Sequence, residues 1–273
     1  MELVDICFNF THKSFRKDEP EVIARAIRAG VTTMIVTGSS VAESARGLEL
    51  VARYPEHLYA TAGVHPHQAR TWDPQSSAAR LRELAEDPKV RAMGEMGLDY
   101  NRNYSNPVDQ RRAFQEQLAL AVELGLPAFL HQRDAHTDFL AMLSEFRTGL
   151  VGTVVHCFTG SASELEAYLE LDCHIGITGW ICDERRGTHL RGLVGCVPED
   201  RLMIETDAPY LLPRDLEPRP RDRRNEPAFL PHVLRAVARY TGRPAEQVAR
   251  QTTETARRFF RIGSAPGASR PDD

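Results

Sequence analysis

The sequence predicts a (β/α)8 barrel. Short apolar runs rich in β-formers alternate with helical patterns eight times along the chain, which argues for parallel strands joined by crossover helices. The 273 residues suit a single domain of this kind, which commonly takes about 250. The side chains able to carry chemistry stand at or just past the C-terminal ends of the runs, the functional face of such a barrel.

The runs fall at residues 4–8, 33–36, 58–62, 90–94, 128–131, 152–156, 173–178 and 202–205. Each has the length and the Val, Ile, Leu and Thr content of a buried strand. Helical periodicity fills most of the intervals. Over residues 107–124, Pro107 suits a first helical turn, Phe114, Leu118, Ala121 and Val122 form one apolar face, and Gly125 is placed to cap the C-terminus. After the last run, residues 229–240 and 245–259 read as two helices broken at Gly242 and are expected to close the outer layer. The barrel domain is expected over residues 1–262. Residues 263–273 carry Gly, Ser, Pro and charge without periodicity, as a disordered tail does. An open doubly wound sheet is the competing architecture; it would leave the polar strand ends without a common mouth.

Composition limits function. Hydrophobic residues make up 42% of the chain, its formal net charge is -4 and its pI is near 6.2, so nothing draws the whole molecule to a polyanion or an acidic membrane surface. Any nucleic-acid contact must be local. Cys7, Cys157, Cys173, Cys182 and Cys196 are scattered, with no CxxC pair, and read as reduced, mostly buried thiols. The first residues, MELVDICFNF, carry acids where a secretory signal needs bases, and no apolar run approaches membrane-spanning length; the expected compartment is the cytoplasm.

Glu95 in MGEMGLDY, His131 in AFLHQRD, His156 in VVHCFTG and Asp207 in IETDAP come from four different runs and would converge at one mouth. Imidazole and carboxylate together suit Zn²⁺, Mn²⁺, Fe²⁺ or Mg²⁺. Within LMIETDAPYLLP, Glu205 and Asp207 are two apart and would share one strand face. In GVHPH, His65 lies closer to its strand than His67 and is the imidazole expected to enter the mouth, a surface turn being the alternative.

The motifs GVHPH, GEMGLDYNRN, HQRDAH, HCFTG, GITGWICDERRG, IETDAPYLLPRD and RRNEPAFLPH together resemble those of the TatD family of metal-dependent deoxyribonucleases, and the similarity runs from about Asp5 to Phe260. It is most specific for the TatD branch proper, through NRN, WICDERRG and RRNEP. The resemblance implies a TIM barrel, a Mg²⁺ or Mn²⁺ cofactor with Zn²⁺ as a further option, and 3′-5′ exonuclease activity on single-stranded DNA or RNA, in DNA repair or nucleic-acid turnover. Carried over by position, the family's metal-binding Glu falls on Glu95, its two metal-binding histidines on His131 and His156, and its strand-eight acid on Asp207. Many relatives open with a His-x-His pair where this chain has Asn9-Phe10-Thr11, which implies a weaker second metal site. Phosphodiester hydrolysis needs an activated water in line with the leaving oxygen and positive charge on the non-bridging oxygens. Glu95, His131 and His156 would form the tighter ligand set, Asp207 would orient or deprotonate the water or hold a second ion, His65 would donate to the scissile phosphate, and Glu205 would support the ligands from behind.

Residues 213–227 hold five arginines against four acids, and residues 219–224 hold four against Asp222. This loop, with Arg219, Arg223 and Arg224, is expected to lean over the mouth and contact phosphates; the alternative is a self-neutralised surface loop. Arg133, with Arg102, Arg185 and Arg186, is a weaker candidate. Trp180, and less so Tyr100, could stack on unpaired bases. No obligate protein partner is evident and a monomer is expected. A metal-dependent amide or ester hydrolase and a non-catalytic binding barrel are the competing functions, set against the nuclease by the missing His-x-His pair and by the retained ligand-type residues respectively.

Overall fold

In the computed structural model, which describes residues 2–263, eight parallel strands follow one another around a single sheet in sequence order. They are β1 (Leu3–Phe8), β2 (Val31–Val36), β3 (Leu58–Ala62), β4 (Val90–Asp99), β5 (Ala128–Arg133), β6 (Thr153–Val155), β7 (His174–Ile177) and β8 (Leu202–Ile204). The ring closes through the chain just past β8: Phe8 bridges Ala208 in parallel, Asn9 N–H donates to Ala208 O and Asp207 N–H to Cys7 O. The (β/α)8 reading of the sequence therefore holds, and the open sheet does not.

Helices α1 (Glu19–Arg28), α2 (Val41–Arg53), α3 (Ser76–Ala85), α4 (Pro107–Leu124), α5 (His136–Phe146), α6 (Ala162–Glu170), α7 (Thr188–Leu193), α8 (Leu230–Thr241) and α9 (Ala245–Phe259) make the outer layer. Local signals set their ends: Asn106 accepts the Asp109 N–H at the start of α4, and Gly125 ends it at a left-handed φ of 60°. Gly242 ends α8 in the same conformation, at φ 69°. The expected tail lies, from residue 264 onward, outside the described residues.

Two apolar layers result. Residues alternating with the outward-facing ones, among them Val4, Ile6, Ile35, Ala92, Phe129, Val154 and Met203, fill the barrel interior together with Phe259, Phe260 and Ile262 at the end of α9. The end of α9 thus plugs the barrel, opposite the strand ends that carry the polar groups. β4 runs five residues further than the apolar run at 90–94, because the GEMGLD stretch keeps pairing with β5 at Met96–Leu130, Gly97–His131 and Asp99–Arg133. Gly97, at φ 147°, permits it: a Cβ there would run into the His131 carbonyl oxygen.

Candidate metal centre

The extension of β4 places Glu95 and Asp99 on the same face, four residues apart on one strand. Three imidazole nitrogens meet a single oxygen of Glu95: His156 Nε2 at 2.7 Å, His131 Nδ1 at 2.9 Å and His65 Nε2 at 3.2 Å from Oε1. These side chains come from β4, β5, the end of β6 and the turn after β3. Burial alone would raise the Glu95 pKa, but the charges and hydrogen bonds of His156, His65 and His131 outweigh it and hold the group well below the usual carboxylate range. Burial opposes charge on His156 and His131, yet Glu95 with Glu205 drives the first up strongly and Asp99 with Glu95 raises the second.

Beneath the cluster, fully buried Glu205 receives the Cys157 N–H on Oε1 and faces His156 Nδ1 with Oε2 at 3.4 Å. Gly176 makes room for it, since a Cβ there would collide with Glu205 Oε1. The carboxylate orients the His156 ring and leaves Nε2 aimed at the centre, as carboxylates behind metal-binding histidines do. Glu205 and Asp207 do not share a strand face as expected. β8 ends at Ile204, and Asp207 takes a left-handed φ of 55°, so it turns up into the cavity while Glu205 stays below. Buried Asp5 fixes that turn by accepting Thr206 N–H at 2.9 Å and the Thr206 hydroxyl. Asn9, where the His-x-His pair would begin, donates from Nδ2 to Asp207 Oδ1 at 2.8 Å. Burial, with the nearby Glu95 and Glu205 carboxylates against His156, pushes Asp207 up to about 7.

The centre floors a cavity of about 600 Å³ whose wall includes Asn9, His67, Asp99, Arg102, Tyr104, Arg133, Trp180, Arg186, Asp207 and Tyr210. A second cavity of similar size continues from it past Gln132, Arg133, Thr159, Trp180 and Arg186 to Gly160, Ser161 and His189. Arg133 and Arg186 stand over the Trp180 ring, their guanidinium carbons 5.8 and 6.0 Å from its centroid.

The family model described as "TatD related DNase" matches residues 4–261. The chain belongs to the TatD DNase family. It is 52% identical over 261 residues to the 3′-5′ ssDNA/RNA exonuclease TatD of Dickeya dadantii, covering 96% of this chain and 98% of that one. It is 51% identical over 260 residues to the protein of the same name from Edwardsiella piscicida, covering 95% and 100%. Among solved structures, a TatD homologue from Escherichia coli superposes with a TM-score of 0.86 at 29% identity, covering 95% and 98%.

The structure brings Glu95, His131, His156, Asp207, His65 and Glu205 together around the floor of this TatD barrel. The expected arginine lid is a correction. Arg219, Arg223 and Arg224 do not line either cavity. Arg224 donates from Nη1 to Ser14 O and from Nη2 to Asp18 Oδ2 at 2.7 Å; Glu226 of the same motif takes both Arg25 donors at 2.7 Å; and Asn225 Nδ2 donates to Thr206 O and Tyr210 O. RRNEP is a latch that seats the loop after β8. Arg219 donates to Arg214 O and pairs with Glu217 at 3.6 Å. Arg133, Arg186 and Arg102, rated below them from sequence, are the cations that line the mouth. Tyr100 lines neither cavity; its hydroxyl donates to Asp138 at 2.6 Å. His67, which the sequence ranks behind His65, and Asp99, which it does not single out, also belong here: His67 Nε2 lies 2.6 Å from Asp99 Oδ2 beside the cluster. The spacing of two from Glu95 through Gly97 to Asp99 was the available signal.

These residues fit a divalent cation. His131 Nε2 is buried without a hydrogen-bond partner, Asp99 Oδ2 being 3.5 Å away, and three imidazoles crowd one carboxylate oxygen that a cation would separate. No described helix is long and apolar enough to cross a membrane.

Proposed function

We propose that this chain is a metal-dependent nuclease that removes nucleotides from the 3′ end of single-stranded DNA and RNA. The observation that carries the reading is one mouth that combines a His/His/Glu centre with a Trp180 platform flanked by Arg133 and Arg186, in a member of a DNase family whose relatives at about half identity are named as such exonucleases. Glu95, His131 and His156 would hold the cation, with Asp207 and Asp99 beside them. The donor set contains imidazole as well as carboxylate, which favours Mn²⁺ or Zn²⁺ over the oxygen-seeking Mg²⁺ expected from the family resemblance. The bound cation would supply positive charge to the non-bridging phosphate oxygens and acidify a water.

The side chains do the rest. Asp207, held near neutrality and braced by Asn9, accepts the proton of the attacking water. His65 accepts the His67 N–H on Nδ1 at 3.0 Å, so its Nε2 carries the proton. Burial lowers its pKa to about 4, and it stays a neutral donor, suited to a phosphate oxygen rather than to a metal. Arg102, Arg133 and Arg186 bind the backbone without reading sequence. Trp180 stacks an unpaired base, and the second cavity offers the strand a path away from the centre.

Strands carrying a 3′- or 5′-terminal label and a 3′-terminal block, incubated with and without chelator, test this. Mononucleotides should be released from free 3′ ends only, and only with metal. Cleavage of an amide or ester substrate in place of these strands would favour the amidohydrolase alternative.

A further inference from the structure

A second group of metal-ligand side chains lies outside the mouth. Cys182 ends the short turn Gly179–Cys182 after β7, Asp215 lies in the loop after β8, and His232 sits in the first turn of α8. One ligand atom from each lies within 4.8 Å of the other two, and His232 Nε2 is 2.7 Å from Asp215 Oδ1. None of the three lines either cavity. In a tetrahedral zinc site with Zn–S of about 2.3 Å and Zn–N of about 2.0 Å, neighbouring ligand atoms stand roughly 3.5 Å apart, so a small adjustment suffices. We propose that Cys182, Asp215 and His232 form an accessory site for a borderline transition-metal ion of the Zn²⁺ class, distinct from the centre at Glu95.

The chemistry is balanced. The Cys182 thiol gives its proton to water when the ion binds, His232 binds as neutral imidazole, and thiolate plus carboxylate cancel the charge of a divalent ion. Cys182 is buried at 2% exposure while Asp215 is exposed, which leaves the fourth position open to solvent water. Without the ion, burial and the Asp215 carboxylate hold the thiol up at about 12, an inert group. The site joins three segments. Through Cys182 it grips the turn that carries Trp180, and through Asp215 the loop that carries Tyr210 and Leu211, all of which line the mouth. An ion here would clamp one wall of the substrate entrance to α8.

Titration of the full-length protein with Co²⁺ tests it, because a thiolate ligand gives a charge-transfer band in the near ultraviolet that imidazole and carboxylate do not. The band should appear in the wild type and in Glu95→Gln. It should vanish in Cys182→Ser and require at least tenfold more Co²⁺ in His232→Gln, with circular dichroism showing both variants folded. A band that survives Cys182→Ser, a band abolished by Cys7→Ser or Cys157→Ser instead, or no band in the wild type at millimolar Co²⁺ would overturn the assignment. The readout is independent of nuclease activity and stands whatever the mouth hydrolyses.

Discussion

At the scale of single residues, Glu95 is the pivot, since the three imidazoles around it have no other common acceptor. Glu95→Gln keeps the shape and removes the charge. It should lower kcat at saturating Mn²⁺ by at least about 100-fold, as loss of a positioned charged group does, while far-ultraviolet circular dichroism is unchanged; near wild-type turnover would remove Glu95 from the centre. Asp207, the proposed base, should set the pH dependence. A base must be deprotonated to act, and burial raises this one to about 7, so activity should rise with pH through the neutral range. A cation beside it favours the carboxylate; raising Mn²⁺ from subsaturating to saturating should move the acid limb of kcat/KM to lower pH. A limb that does not respond to metal, or that persists in Asp207→Asn, would assign it to another group.

At the scale of elements, the cations that line the mouth come from the loop after β4, the end of β5 and the turn after β7, not from the loop after β8. Two phosphate contacts on a single strand change the slope of log K against log salt by roughly 1.4. Arg133→Ala with Arg186→Ala should flatten the slope by about that much on poly-dT and on mixed sequence alike, whereas Arg219→Ala with Arg223→Ala should leave it unchanged. The reverse result would restore the lid. Arg224 acts on stability instead. Its contact with Asp18, followed by that of Arg25, holds Asp18 down at about 2 against an ordinary 3.8. A carboxylate with a lowered folded-state pKa contributes stability that is present above its unfolded value and lost as pH falls through the folded one. Arg25 keeps its own contact with Asp18, so Arg224→Ala should cost on the order of 1 kcal/mol at pH 7; the gap between the urea midpoints of variant and wild type should narrow between about pH 4 and pH 2, leaving the part due to the bond to Ser14 O, which does not titrate.

At the scale of the whole molecule, the barrel separates stability from chemistry along its axis. Phe260, fully buried at the end of α9, has its ring centroid 4.8 Å from that of Phe259 and 6.4 Å from that of Phe129, which in turn lies 4.8 Å from the His156 ring. The apolar stack thus reaches from the plug to the floor of the metal centre. Phe260→Ala should destabilise by about 3–5 kcal/mol through loss of burial and the cavity left behind. For a chain of this size that lowers Tm by roughly 6–20 °C. kcat at 20 °C should stay within about twofold, because Phe129 still backs His156; a proportionate loss of kcat would show that the plug positions the imidazole.

The order and kind of the elements are legible in the amino-acid sequence, as are the four β segments that bring Glu95, His131, His156 and Asp207 to the mouth, because strand and helix periodicities and end caps depend on neighbours within a few residues. Even there it stopped β4 too early, since glycines at 94 and 97 look like strand breakers until β5 is present to pair with them. It could not say which arginines face the mouth. Arg224 is committed to Asp18, 206 positions earlier in the chain, and Arg133 and Arg186 come from different β/α units to the ring of Trp180. Nor could it bring His67 to Asp99, or Cys182, Asp215 and His232 to one point. A side chain on a loop follows the partner that desolvates or pairs with it, and that partner is supplied by the closed barrel, not by adjacent sequence.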